Sequence, residues 1–324
     1  MKAIAQLVRD EQLLEIEQET LDSIKGHAPP VLGGADAGIY RRSLYRAGGV
    51  LYCIARTAAD KALYAFGSSA ASTPFGDLEA TGVEGVLARR VEMTAEAVRH
   101  LWKLFPFTKP VSLREERTTI GMGDRLGVAS AGHIRAARKY RCYPVLAQQS
   151  LRELDYTGRS FADVVADASF AVFQEGYEDG FGADADHMKT IEAIDTALGE
   201  SMPMITLDLT EVLRPEVADW SEGDLTAGFG ALDAGLRARL ETDYVDVGYQ
   251  AGDTTLTLDR VELARCALLY GDALDFAEKV NNHLKAKTGD AYDLEISIDE
   301  TTTPTLPEHH LFIARELQVR GVTV

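Results

Sequence analysis

Cysteine is scarce in this chain: Cys53, Cys142 and Cys266 stand alone among 324 residues, with no C-x-x-C spacing between them. That excludes a disulfide scaffold and a classical zinc ribbon, and fits isolated thiols in a reducing compartment. Basic charge is short as well. Fifty-one acidic against 33 basic residues leave a net charge of −18, a field that repels phosphate backbones and anionic lipid surfaces. We therefore expect neither a nucleic-acid nor a membrane partner, and an anionic small substrate would need a local cluster of Arg, Lys or metal. Long apolar runs are also missing: no stretch approaches the roughly 18 residues of a membrane span. The Met1–Asp10 segment has too short an apolar core for a signal peptide, so a cytoplasmic location is expected. Finally, no G-x-G-x-x-G and no P-loop follow a strand-like run, which disfavours a nucleotide-binding sheet.

What remains is a composition of ordinary globular type, long enough for one large α/β domain or two smaller ones. Residues 1–25 read as helix-compatible. Val50–Ile54 and Ala62–Phe66 read as strands, and the apolar spacing of Val86–Leu104 predicts a helix ending before Pro106. From about residue 115 the texture becomes repetitive, with short apolar strands ending in polar residues and followed by an amphipathic helix. The strands are Thr118–Met122, Pro144–Ala147, Phe181–Ala185, Met204–Leu207 and Leu294–Ile298, with Gly321–Val324 as the beginning of a sixth. Helices are expected around Leu225–Leu240 and from Asp259 to about Lys287. The pattern predicts an α/β fold with a parallel sheet over residues 111–324, either of (β/α)8 TIM-barrel type, incomplete at the C-terminus with about six of eight strands, or an open, non-barrel sheet. Residues 1–110 form an N-terminal α+β extension. In such folds the active site gathers at the carboxyl ends of the strands.

The densest chemistry lies at such an end, Gly182-Ala183-Asp184-Ala185-Asp186-His187-Met188-Lys189. Asp186 and His187 suit a base beside a metal ligand, provided that the strand has already turned between them, because alternation sends neighbours to opposite faces. The plainer alternative is that Asp184 or Asp186 caps the next helix and His187 bonds a backbone carbonyl. In Gly123-Asp124-Arg125-Leu126-Gly127 the Arg125 fork matches a substrate carboxylate, although a capped helix start with a surface ion pair fits equally. Glu295 and Asp299 share one face of an apolar strand, which is costly unless the acids are paired or functional. His309 or His310, opening the last helix, can add an imidazole ligand.

Three stretches together carry a resemblance: TTIGMGDRLGVASAGHIRA (118–136); PVLAQQSLRELDYTGR with GADADHMKT (144–190); and ISIDETTTPTLPEHHLFIARELQVRGV (296–322). In order and register, the region from about 115 to 324 resembles the tagaturonate epimerase family. The resemblance implies a barrel that continues beyond Val324 with further histidine-bearing motifs, a divalent metal (Zn, Mn, Ni or Fe), and interconversion of D-tagaturonate and D-fructuronate in hexuronate catabolism. It implies that Asp186 is the proton acceptor, His187 a metal ligand and Glu295 the opposing proton donor, and it matches His309 to a family histidine.

The two uronates differ at a carbinol carbon β to the ketone, so deprotonation next to the carbonyl cannot invert it. A retro-aldol opening, rotation of the aldehyde and re-closure can. Arg125 and Lys189 are candidates for the substrate carboxylate, and Gln148, Gln149, Asp124 and Asp299 for its other polar groups. A neighbouring hexuronate or ketohexose offers the same hydroxyls. Two rival readings remain: a metal-dependent aldolase that releases the fragments, and an inactive sugar-acid-binding fragment.

Overall fold

A computed structural model of the chain describes residues 1–116, 118–298 and 304–324. The chain divides into two compact units: residues 1–185 with 196–203, and residues 186–195 with 204–324. The strands, in chain order, are β1 Val31–Gly33, β2 Ala37–Tyr40, β3 Tyr45–Ala47, β4 Val50–Thr57, β5 Lys61–Gly67, β6 Glu79–Val83, β7 Val86–Val91, β8 Thr119–Gly121, β9 Tyr143–Ser150, β10 Gly182–Met188, β11 Met204–Asp208, β12 Tyr249–Ala251, β13 Thr254–Leu256 and β14 Asp293–Ser297.

In the first unit, β1 to β7 form an antiparallel sheet of order β1-β2-β4-β5-β7-β6, with β3 added on β4. Its centre is the β4–β5 hairpin, buried on both faces because its residues are apolar at odd and even positions alike. Leu51, Cys53 and Ala55 enter one core with Ile4, Val8 and Leu21 of the N-terminal helices. Val50, Tyr52 and Ile54 enter the opposite core with Val98, Leu101, Phe170 and Phe173. Cross-strand register keeps the faces consistent, with Cys53 opposite Tyr64 and Ile54 opposite Leu63. The helix Phe161–Glu175 is buried along almost its whole length. Ser160 and Asp163 close a capping box at its start. Gly176 ends it at φ 55°, where a Cβ would come within 2.5 Å of the Arg42 carbonyl.

The segment Val86–Leu104 is not one helix. Val86–Val91 is strand β7, antiparallel to β5, and the helix runs only from Ala95 to Leu104. Val86, Ala88 and Val91 are buried on a ladder, so the available edge of β5 decided between two periods that a short apolar run satisfies equally. Thr94 marks the real helix start, its side chain accepting from the Ala97 amide at 3.2 Å.

The second sheet has five parallel strands in the order β14-β11-β10-β9-β8. The fold is thus mixed α/β with a parallel half-barrel. Gly321–Val324, expected to begin another strand, instead terminates the helix Pro307–Val319. Gly321 adopts φ 69° and the Val322 amide bonds back to the Leu317 carbonyl at 2.9 Å. In the second unit the region read as one helix around 225–240 is two, Glu222–Gly230 and Ala234–Tyr244, each with its own cap, Ser221 and Asp233. The long helix Arg260–Thr288 forms as its spacing predicts, with Asp259 accepting from the Val261 and Glu262 amides. Among the described residues no helix is long and apolar enough to cross a membrane.

Candidate functional site

β10 ends in a backbone turn that ordinary strands avoid. His187 sits at φ 58°, in the left-handed region, where a non-glycine residue costs about 1 kcal/mol or more. The turn breaks strand alternation between Asp186 and Lys189. His187 Nε2 then lies 3.7 Å from Asp186 Oδ1, and its Nδ1 lies 3.4 Å from Asp208 Oδ2. Lys189 Nζ reaches Asp208 Oδ2 at 3.5 Å and Glu211 Oε1 at 3.4 Å. Two strand ends, β10 and β11, thus contribute an imidazole, an ammonium and three carboxylates to one cluster in the second unit.

Asp208 holds the cluster together. Its side chain is 2% exposed, and burial pushes its carboxyl up. Hydrogen bonds from the Thr210 hydroxyl and amide, with the Lys189 ammonium beside it, outweigh that and keep it below the ordinary carboxylate value. Lys189 answers in kind: desolvation lowers its pKa, but Asp208 and Glu211 raise it further, so the ammonium stays charged. Glu295 stands on β14 opposite Thr206 of β11, and Ser297 stands opposite Asp208. Strand alternation therefore puts Glu295 on the sheet face that carries Thr206 and Asp208. It is exposed, on the edge strand.

The first unit carries the other predicted residues. Gln148, on β9, donates to Asp184 Oδ2 at 3.0 Å. Gly121 and Gly123 clear the space around it, since a Cβ on either would approach Gln148 within 3.1 Å. Gln149 is fully buried, and neither its amide nitrogen nor its oxygen finds a hydrogen-bond partner among the described residues. A buried amide left so is expensive, and it suits a site that receives water or an oxygen-rich ligand. Asp124 does what the plainer reading allowed. Its carboxylate accepts from the amides of Leu126, Val128, Ala129 and Ser130 and from the Ser130 hydroxyl, tying the loop onto the next helix. Burial raises its pKa, and those bonds more than offset it. Arg125, half exposed, is paired with Glu153, itself part of the capping box at Ser150.

His309 joins a different group from His187. Its Nδ1 lies 3.0 Å from Tyr270 Oη and its Nε2 lies 2.5 Å from Glu262 Oε1. With Cys266 they place three ligand atoms within 4.8 Å of one another. Asp299 lies outside the described residues.

Against this geometry, the family model for UxaE, tagaturonate epimerase, matches residues 40–324. The chain belongs to the tagaturonate epimerase family. It is 39% identical over 240 residues to a tagaturonate/fructuronate epimerase of Thermotoga maritima, covering 74% of this chain and 49% of that protein. Two crystal structures of the fructuronate-tagaturonate epimerase UxaE from Cohnella laeviribosi superpose with similar quality. The one-glycerol complex gives a TM-score of 0.81 at 35% identity, and the native form 0.80 at 34%. Each match covers 95% of this chain and 60% of that one. The chain therefore spans about half to three-fifths of the lengths of the relatives it matches.

Within this family member, sequence reasoning missed Asp208 and Glu211. Their signal was present: an acid at the last position of β11, followed at i+2 by a threonine able to bond it, is a strand-end turn rather than a surface pair. Glu262 and Cys266, four residues apart on a helix, gave no sign of a third partner 43 positions away.

Proposed function

We propose that this chain carries part of the site of a metal-dependent sugar-acid epimerase that interconverts D-tagaturonate and D-fructuronate by retro-aldol and aldol steps, on a parallel sheet that forms part of a (β/α)8 barrel. The observation that carries the reading is the turn at His187. It brings an imidazole between two carboxylates at a strand end, in a chain whose family is named for that epimerisation. An imidazole with neighbouring carboxylates is a donor set that zinc, manganese, nickel or iron accept, and His187 is the residue assigned to hold the cation. A cation there supplies Lewis-acid polarisation of the substrate ketone.

The chain's own residues do the rest. Asp186 accepts the proton of the carbinol hydroxyl as the C–C bond opens to an enediolate and an aldehyde. The aldehyde turns over its other face, the C–C bond re-forms, and the new alkoxide is protonated from the opposite side, where Glu295 is assigned. Lys189, held charged by Asp208 and Glu211, pairs with the substrate carboxylate; Arg125 is the alternative candidate for it. Gln148 and Gln149 meet hydroxyls. Asp124 shapes the loop that carries Arg125, and Asp299 is assigned to substrate polar groups.

The test is to strip the 324-residue chain of metal, reload it with each divalent cation, add D-tagaturonate and follow the sugar by NMR. Metal-dependent appearance of D-fructuronate supports the reading. Release of three-carbon products would replace it with an aldolase. A soluble, folded chain that binds the sugar acid without converting it would make it a binding fragment.

A further inference from the structure

We propose that Glu262, Cys266 and His309 form a second, soft divalent-cation site, suited to zinc, that ties the helix Pro307–Val319 to the long helix Arg260–Thr288. Glu262 and Cys266 are four residues apart and so share one face of the long helix. His309 projects from the first turn of the partner helix. The three ligand atoms lie within 4.8 Å of one another, and a mixed N, S, O donor set is one zinc favours.

Two further features point to a ligand site rather than a bare ion pair. Tyr270, one turn beyond Cys266, sets its hydroxyl 3.0 Å from His309 Nδ1. That is the outer contact that orients a metal-binding imidazole and turns Nε2 toward the cation. The burial is also graded: Cys266 is 0% and His309 6% exposed, while the Glu262 side chain is 29% exposed. This leaves an open side for entry and for a water as the fourth ligand. A Glu262–His309 hydrogen bond, with Arg265 Nε 3.4 Å from the other Glu262 oxygen, explains two of the three residues. It does not explain a thiol held in the same small space.

On binding, the cation displaces one proton. The thiol proton leaves to solvent as Cys266 becomes a thiolate ligand. The neutral His309 ring keeps its one hydrogen, carried on Nδ1 and donated to Tyr270 Oη, which leaves the Nε2 lone pair for the metal. The group shares no residue with the Asp186–Asp208 cluster, so the proposal is independent of the epimerase reading.

The test uses the metal-stripped 324-residue chain carrying His187→Ala, so that the cation site assigned at His187 does not take up the probe, with Co2+ as a coloured stand-in for zinc. One equivalent should produce a thiolate-to-cobalt charge-transfer band with tetrahedral d–d absorption, displaced by Zn2+. Cys266→Ser should abolish the charge-transfer band and weaken zinc binding by more than about tenfold. The chain with His187 restored should show the same band. Zn2+ should raise the Tm of the parent chain but not of Cys266→Ser, or of Cys266→Ala if the serine variant folds poorly. The proposal is overturned by cobalt bound without a charge-transfer band, by a band that survives both Cys266 variants, or by a Tm indifferent to zinc.

Discussion

The β4–β5 hairpin and the end of β10 are built on opposite terms. In the hairpin every residue from Val50 to Ala55 is buried, the ladder is regular, and the neighbours are aromatic rings such as Phe105 and Phe173, 5.1 Å apart. At β10 the ladder stops in a left-handed residue, and an imidazole and an ammonium lie 3.4 and 3.5 Å from a nearly buried carboxylate. The first arrangement holds a fold because apolar burial is non-directional and accumulates. The second gives up local backbone ease to bring polar and charged groups from two strand ends together. Changes in the hairpin should therefore be read in stability, and changes at the strand end in turnover.

The largest effect should come from Asp186→Asn. We expect turnover of D-tagaturonate to fall by about 100-fold or more, the usual contribution of a proton-transferring group, with the melting temperature nearly unchanged. Activity that persisted would remove Asp186 from the chemistry. Phe173→Ala is the reverse experiment. Truncating a fully buried ring should cost about 3–5 kcal/mol in denaturant unfolding, while activity per folded molecule stays level. Lys189→Met should raise KM for the sugar acid by roughly tenfold or more with little change in kcat, since a charge-assisted hydrogen bond contributes about 1.5–3 kcal/mol. A drop confined to kcat would move Lys189 out of substrate binding. Thr94→Ala, far smaller, should lower stability by about 1 kcal/mol through the lost cap.

The last contrast is in pH. The folded-state pKa of Asp208 lies below its ordinary value of 3.8, so its contribution to stability is present above that value. It is lost as pH falls through the folded pKa. Asp208→Asn should flatten the acid limb of a Tm-against-pH curve below about pH 4, leaving the neutral region parallel to the parent. An unchanged acid limb would mean that the hydrogen bonds to Asp208 persist in the unfolded chain.

Much of this was readable before any fold was known. The strands at 50–57, 61–67, 143–150 and 204–208 contain compact apolar runs, and those at 182–188 and 293–297 alternate apolar with acidic residues. The long helix announces itself by its cap at Asp259 and its periodic leucines. Val86–Val91 was not readable as a strand, because six residues satisfy both periods and only the partner β5 breaks the tie. The loop at Asp124 was legible only as a pair of alternatives, since a carboxylate before a helix serves a cap or a ligand equally well.

The sequence alone determined which residues are chemically able to act and the family the chain belongs to, because these depend on local spacing and residue type. Tertiary structure decided the company each residue keeps. It set His187 beside Asp208 and sent His309 to Glu262 and Cys266. It also left the Gln149 amide buried without a partner among the described residues. Those pairings join positions tens of residues apart along the chain, and only the packing of strands and helices determines which of many compatible side chains come within hydrogen-bonding reach.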